Sequence, residues 1–232
     1  MNGSSESAVS DRNGAFLERI RRALAHDLRT PLGTIANYAA ILEYHGDAKP
    51  ADVRVFAGRI RQSAVRAAVM LQHMTDALVL SERQPSEATT DPAGLIRALI
   101  SEMAVHARFP ARGEEPPSRL PVDSDLLAFT WRAFLAVNAE AAGDSALDLD
   151  IEIGDTDDPI TLDLWVGARP PETPARVGST KFFESTVEVN QPESCFALAL
   201  AEELIRLRGG EMGLWGRPGQ ASSLRVSFPA RR

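Results

Sequence analysis

Cysteine is almost missing from this chain. Cys195 is the single one in 232 residues, which excludes a disulfide framework and a thiolate metal cage. An excess of basic charge is missing as well. The formal net charge is −7 and the pI about 5.2, which argues against a protein that works by coating nucleic acid. No apolar run is long enough to cross a bilayer, and the opening MNGSSESAVSDRNG lacks the charged and apolar segments of a signal peptide. A cytoplasmic protein with no nucleic-acid or membrane partner is therefore expected. What remains is ordinary: 44% hydrophobic and 25% charged residues suit a soluble globular chain of one or two domains.

Residues 1–12 are polar and rich in Ser and Gly, and read as a disordered tail. From there Phe16, Ile20, Leu24, Leu28, Leu32, Ile35, Ala39 and Leu42 recur at steps of three or four, the apolar stripe of one long helix. HGDAKP at 45–50 supplies the glycine and proline that end it. A second stripe passes through Val53, Phe56, Ile60, Ser63, Ala67, Met70 or Leu71, Met74 and Leu78, with spacing close to heptads. Residues 13–84 thus read as an antiparallel helical hairpin. A lone hairpin cannot bury both stripes, whereas a second copy closes a four-helix bundle, so a homodimer is expected. The alternative is that the hairpin packs on the second half of its own chain.

The polar, proline-punctuated SERQPSEATTDP at 81–92 marks a domain boundary. In 92–232, GLIRALISEMAVHA, DSDLLAFTWRAFLAVNAEAA and ALALAEELIRLRGG read as helices. ALDLDIEI and ITLDLWV alternate as half-buried strands do, and GEMGLWGRPGQASSLRVSF reads as a closing hairpin. Helices beside a mostly antiparallel sheet make an α/β sandwich, so the whole chain is of the α+β class.

Residues 25–32 read AHDLRTPL. A neutral imidazole offers a ring lone pair to a phosphorus centre. His26 lies between Leu24 and Leu28, off the apolar stripe, and should be exposed. Thr30, at i+4, stands on the same face, while Asp27 is rotated away. Pro31 cannot donate to the Asp27 carbonyl, so the helix should bend there. His45 precedes a helix-ending glycine, and His73 and His106 have no ligand-like neighbours at useful spacing. These three are structural or solvated, and no metal site is expected.

HDLRTPL in the first helix of a hairpin, followed by an α/β domain, resembles the catalytic core of bacterial sensor histidine kinases from about residue 14 to the end. The resemblance implies that His26 is the phosphorylated residue, that Asp27 assists transfer and that Thr30 positions a water for dephosphorylation. It also implies an ATP-binding domain resembling the family's, with an asparagine box, an Asp-x-Gly-x-Gly turn and a second glycine turn before a helix. The matching positions depart from that pattern. Glu193, Ser194, Cys195, Phe196 and Ala197 stand in the glycine turn, Gly167 or Ala168 replaces the adenine-binding aspartate, and the asparagine box keeps Asn138 but has Phe134 and Ala141. Glycines are what let a backbone approach phosphates closely. No ATP binding and no cofactor are expected, with magnesium confined to the receiver-domain partner.

The phosphate must then come from another phosphoprotein. The reading is a histidine phosphotransferase that relays a phosphoryl group between receiver-domain aspartates through His26. No sensor segment precedes residue 14, which fits a soluble relay. Its partners would be response-regulator receiver domains and an upstream hybrid histidine kinase. The alternatives are a non-phosphorylated pseudokinase scaffold that regulates a partner, and a divergent ATP-dependent histidine kinase. His26, Thr30, Gly33 and Asn37 fall at i, i+4, i+7 and i+11, one stripe without a large apolar residue. With Tyr38 as an aromatic anchor, Gly33 and Asn37 are the expected partner-binding positions, and by resemblance such positions set partner specificity.

Overall fold

The computed structural model describes residues 14, 16–18, 20–21, 27–44, 49–84, 89–109, 119–154, 159–167, 176–177, 193–216 and 222–229. They form two compact units, Met1–Leu78 and Val79–Arg232.

The first unit is helical. The sequence pattern predicts one unbroken helix from Phe16 to Leu42. The structure has helical residues at 16–18 and 20–21, a turn at Asp27 and Leu28, and then helix α1, Arg29–Tyr44. Pro31 explains the restart. It has no N–H for the Asp27 carbonyl, and it sits in the first turn of α1, where N–H groups have no helical partner. The Leu32 amide bonds back to the Leu28 carbonyl at 3.2 Å. Leu28 and Pro31 are buried and Ile35, Tyr38 and Leu42 half-buried, whereas Leu32 is 54% exposed and Ala39 is exposed. Ile35 and Leu42 thus lie inward as expected, while Leu32 and Ala39, of the same expected stripe, are not covered within a single chain.

Helix α2, Pro50–Glu82, runs for 33 residues, about 50 Å at 1.5 Å per residue. Proline suits its first position because that N–H is spare. Half-buried Phe56, Ile60 and Ser63 lead into buried Ala67, Met70, Met74 and Ala77, which keeps the expected spacing. The helix continues through Glu82, past the start of the polar stretch at 81, and the units divide within it at Leu78 and Val79. Arg208 accounts for this. Its guanidinium donates to the Leu80 carbonyl at 2.7 Å and to the Arg83 carbonyl, so the last turn of α2 is fastened to the second unit.

That unit holds α3 (Pro92–Glu102), β1 (Ala107–Arg108), α4 (Ser124–Ala142), β2 (Leu147–Ile153), β3 (Ile160–Val166), β4 (Arg176–Val177), α5 (Glu193–Leu207), β5 (Glu211–Gly216) and β6 (Ser222–Phe228). The sheet order is β1-β2-β3-β6-β5-β4, antiparallel except for the β1–β2 pair. The two-residue strands β1 and β4 are additions to the sequence reading, since runs that short carry no period-2 signal. Val105 to Ala107, read as part of the first helix of this domain, leave it after Glu102 and enter β1.

Helix α4 begins at Asp123, whose carboxylate accepts from the amides of Asp125 and Leu126, a side-chain N-cap. Its inner positions Leu127, Trp131, Phe134, Leu135 and Asn138 are buried, and it packs along α5. Helix α5 stops at Gly209, φ +79°, where the Gly210 amide reaches back to the Ile205 carbonyl at 2.9 Å. That 6→1 bond with a left-handed residue is the Schellman stop that LRGG announces. On the sheet, Leu162 and Leu164 of β3 meet Val226 and Leu224 of β6, all fully buried. From alternate positions Asp163 binds Arg225 through both oxygens, at 2.8 and 2.7 Å, and that guanidinium lies 5.3 Å from the Trp215 ring centre. The bond to Asp163 raises the Arg225 pKa against the burial that lowers it.

Candidate functional site

His26 lies outside the described residues, so the face expected to carry it is described through its neighbours. Asp27 and Thr30 are exposed, one in the turn and one in the first turn of α1. The Thr30 carbonyl accepts the Thr34 hydroxyl at 3.0 Å. Gly33 has nothing within 4 Å of where a Cβ would stand, and Asn37 is exposed. Thr30, Gly33 and Asn37 thus share an open helix face. Tyr38 does not lie open with them. Its ring stacks on Phe56 of α2, centres 5.5 Å apart at 28°, and so belongs to the seam of the hairpin. The exposed aromatic on this helix is Tyr44, 81% accessible. It sits at the helix end, where a periodic stripe gives no warning of exposure.

In the second unit the positions matching a nucleotide site are occupied as follows. Phe134 and Asn138 are fully buried on α4. The Asn138 amide nitrogen donates to the Phe134 carbonyl at 2.9 Å, and its oxygen accepts the Ser222 hydroxyl at 2.7 Å. Both ends of this amide are engaged inside the protein. Ala141 is exposed and brings no charge. Gly167 has φ +82° and donates its amide to the Asp148 carbonyl at 2.7 Å. It is the turn that closes β3 against β2, while Ala168 lies outside the described residues. Residues 193–197, expected in place of a glycine turn, are the opening of helix α5, with Cys195 and Ala197 buried. Residues 178–192, which precede this helix, lie outside the described residues.

Ser222 was not legible as a partner for Asn138, because 84 residues separate them and no local signal links a strand serine to a helix asparagine. Among the described residues no group of three or more His, Cys, Asp or Glu could hold a metal ion. Among them, too, no helix is long and apolar enough to cross a membrane.

Residues 16–82 match the model of the His Kinase A (phospho-acceptor) domain. No curated protein matches the sequence. Solved structures do. The histidine kinase AdeS of Acinetobacter baumannii is 10% identical, with a TM-score of 0.55 over 89% of this chain and 98% of that one. The histidine kinase ThkA, solved in complex with the response regulator TrrA, is 14% identical with a TM-score of 0.62, over 100% of this chain and 67% of that one. Full-length ShkA, solved with AMPPNP, is 18% identical with a TM-score of 0.51, over 91% of this chain and 45% of that one. At these identities the likeness speaks for the fold.

Proposed function

The chain has a sensor-histidine-kinase-like core, with a phospho-acceptor domain over residues 16–82, and on that premise we propose that it relays phosphoryl groups and does not take them from ATP. A receiver domain presents its aspartyl phosphate to His26. The imidazole nitrogen attacks phosphorus, an N–P bond forms, the acyl-phosphate P–O bond breaks, and the receiver's carboxylate is released. The same exchange in reverse loads a second receiver. Asp27 assists the imidazole, and Thr30 helps place the water that hydrolyses the phosphohistidine. The chain itself brings no cofactor, and magnesium belongs to the receiver.

The observation that carries the reading is Asn138. The one polar side chain left from an asparagine box is fully buried and spends its amide on Phe134 and Ser222. The burial of Cys195 and Ala197 at the start of α5 supports it. Receivers as partners are supported by ThkA, solved with a response regulator. A homodimer is supported by Leu32, Val53 and Leu71, large apolar residues left exposed on the hairpin.

The test is to mix the protein with phosphorylated receiver domains and follow the label. The wild type should gain it, and His26→Ala should not, while changes at His45, His73 or His106 leave it intact. Labelling by ATP alone, or micromolar ATP–magnesium binding by calorimetry, would make the chain a kinase. A protein that never takes label, yet works in the cell after His26→Ala, would be a pseudokinase scaffold.

A further inference from the structure

The two ends of strand β2 have different neighbours. Leu147 and Asp148 stand beside Ala107 and Arg108 of β1, whereas residues 149–153 have β3 on one side and no described strand on the other. Two bonds fix the direction of the backbone groups. The Gly167 amide donates to the Asp148 carbonyl and the Gly154 amide to the Thr161 carbonyl. In this antiparallel pair Asp148, Asp150, Glu152 and Gly154 therefore turn their backbone groups to β3. Leu147, Leu149, Ile151 and Ile153 turn theirs to the other side, where the Leu147 amide meets the His106 carbonyl at 2.8 Å. Among the described residues, nothing on that side pairs with the amides and carbonyls of Ile151 and Ile153.

Proline accounts for the end of β1. Counting on from Arg108 in the same register, the next residue with an amide to give β2 is Pro110, which has no N–H. Burial falls where β1 stops. Leu147 and Leu149 are buried, whereas Ile151 and Ile153, on the same face of the sheet, are half-buried. Their partners on β3, Leu164 and Leu162, are fully buried, so the deficit belongs to the edge alone. An extended segment laid beside residues 149–153 would bond to both isoleucines and cover their side chains.

The opposite face sets what such a segment carries. Asp148, Asp150 and Glu152 alternate along it. Strand β1 already answers the first of them. Arg108 stands opposite Asp148 in register, and its Nε reaches the carboxylate at 2.9 Å. In a continuing strand the residues opposite Asp150 and Glu152 are basic for the same reason, and those opposite Ile151 and Ile153 apolar. A second copy of β2 fails on this count, because it would bring Asp and Glu against Asp and Glu.

We infer that the open edge of β2 at residues 149–153 binds an extended partner segment of alternating basic and apolar residues, as an added strand that continues the line of β1. The site belongs to the second unit and does not depend on the relay reading. Main-chain bonds at Ile151 and Ile153 hold the strand, and Asp150 and Glu152 select a basic one.

The experiment uses the full chain and a labelled peptide in which lysine and valine alternate, followed by fluorescence anisotropy and by hydrogen exchange. The peptide should bind and slow amide exchange at Ile151 and Ile153 at least tenfold, with Leu147, already bonded, unchanged. The same peptide N-methylated at every residue keeps its charge and should bind at least tenfold more weakly. So should the unmethylated peptide when offered to Asp150→Asn with Glu152→Gln. A methylated peptide that binds as well as its parent would make the contact one of charge alone and overturn the added strand. Unchanged affinity in the double variant would overturn the choice of a basic partner. Absence of binding at millimolar peptide, or slow exchange at Ile151 and Ile153 in the free protein, would show the edge closed and remove the site.

Discussion

Asn138 on α4 and Ser222 on β6 share a buried 2.7 Å hydrogen bond across 84 residues of sequence. It joins the helix layer to the middle of the sheet, since β6 lies between β3 and β5. Asn138 also holds the Phe134 carbonyl one turn back, so the amide is fixed in orientation from both sides.

This bond should matter for stability and not for phosphate transfer. Ser222→Ala leaves the Asn138 oxygen buried without that donor, which costs about 1–3 kcal/mol. The measurement is the urea midpoint of unfolding at unchanged slope. Ser222→Ala combined with Asn138→Leu should recover much of the loss, because no polar atom is then left unpaired. A single substitution without cost would show that the pair is solvated.

Arg208 offers a second test. Its guanidinium caps carbonyls at the end of α2, where the helix dipole is negative. Arg208→Ala should release the last turn, so that amide hydrogens in residues 79–84 exchange at least tenfold faster, while those of α5 and the central strands do not change. Arg208→Lys should fall between, because an ammonium lacks the planar fork that reaches two acceptors. Unchanged exchange at 79–84 would mean that the turn is held by other contacts.

The dimer is the third. Leu32 and Leu71 are 54% and 47% exposed on the hairpin. Sedimentation at micromolar concentration should give twice the chain mass of 25.1 kDa, and Leu32→Glu with Leu71→Glu should return it to one chain. A wild type that sediments as a single chain would place the helical stripes against this chain's own residues instead.

The sequence by itself settled the elements whose signals are local. The second helical stripe, the two alternating strands, the LRGG stop and the final hairpin are each visible in a window of a few turns, and they stand where periodicity and end signals put them. AHDLRTPL pointed to the phospho-acceptor domain whose model residues 16–82 match, and Pro31 announced a bend where the structure has a turn at Asp27 and Leu28. Only the tertiary structure decided which stripe residues one copy of the chain covers, for it half-buries Ile35 and Leu42 and leaves Leu32 and Ala39 exposed. The tertiary structure also turned Tyr38 into a hairpin residue, through Phe56, and left Tyr44 as the open ring. It made Asn138 a core residue through Ser222, and it fastened the end of α2 through Arg208. Each of these depends on a side chain from another element filling a space or a hydrogen bond. Periodicity counts positions along one element and contains no information about that second side chain.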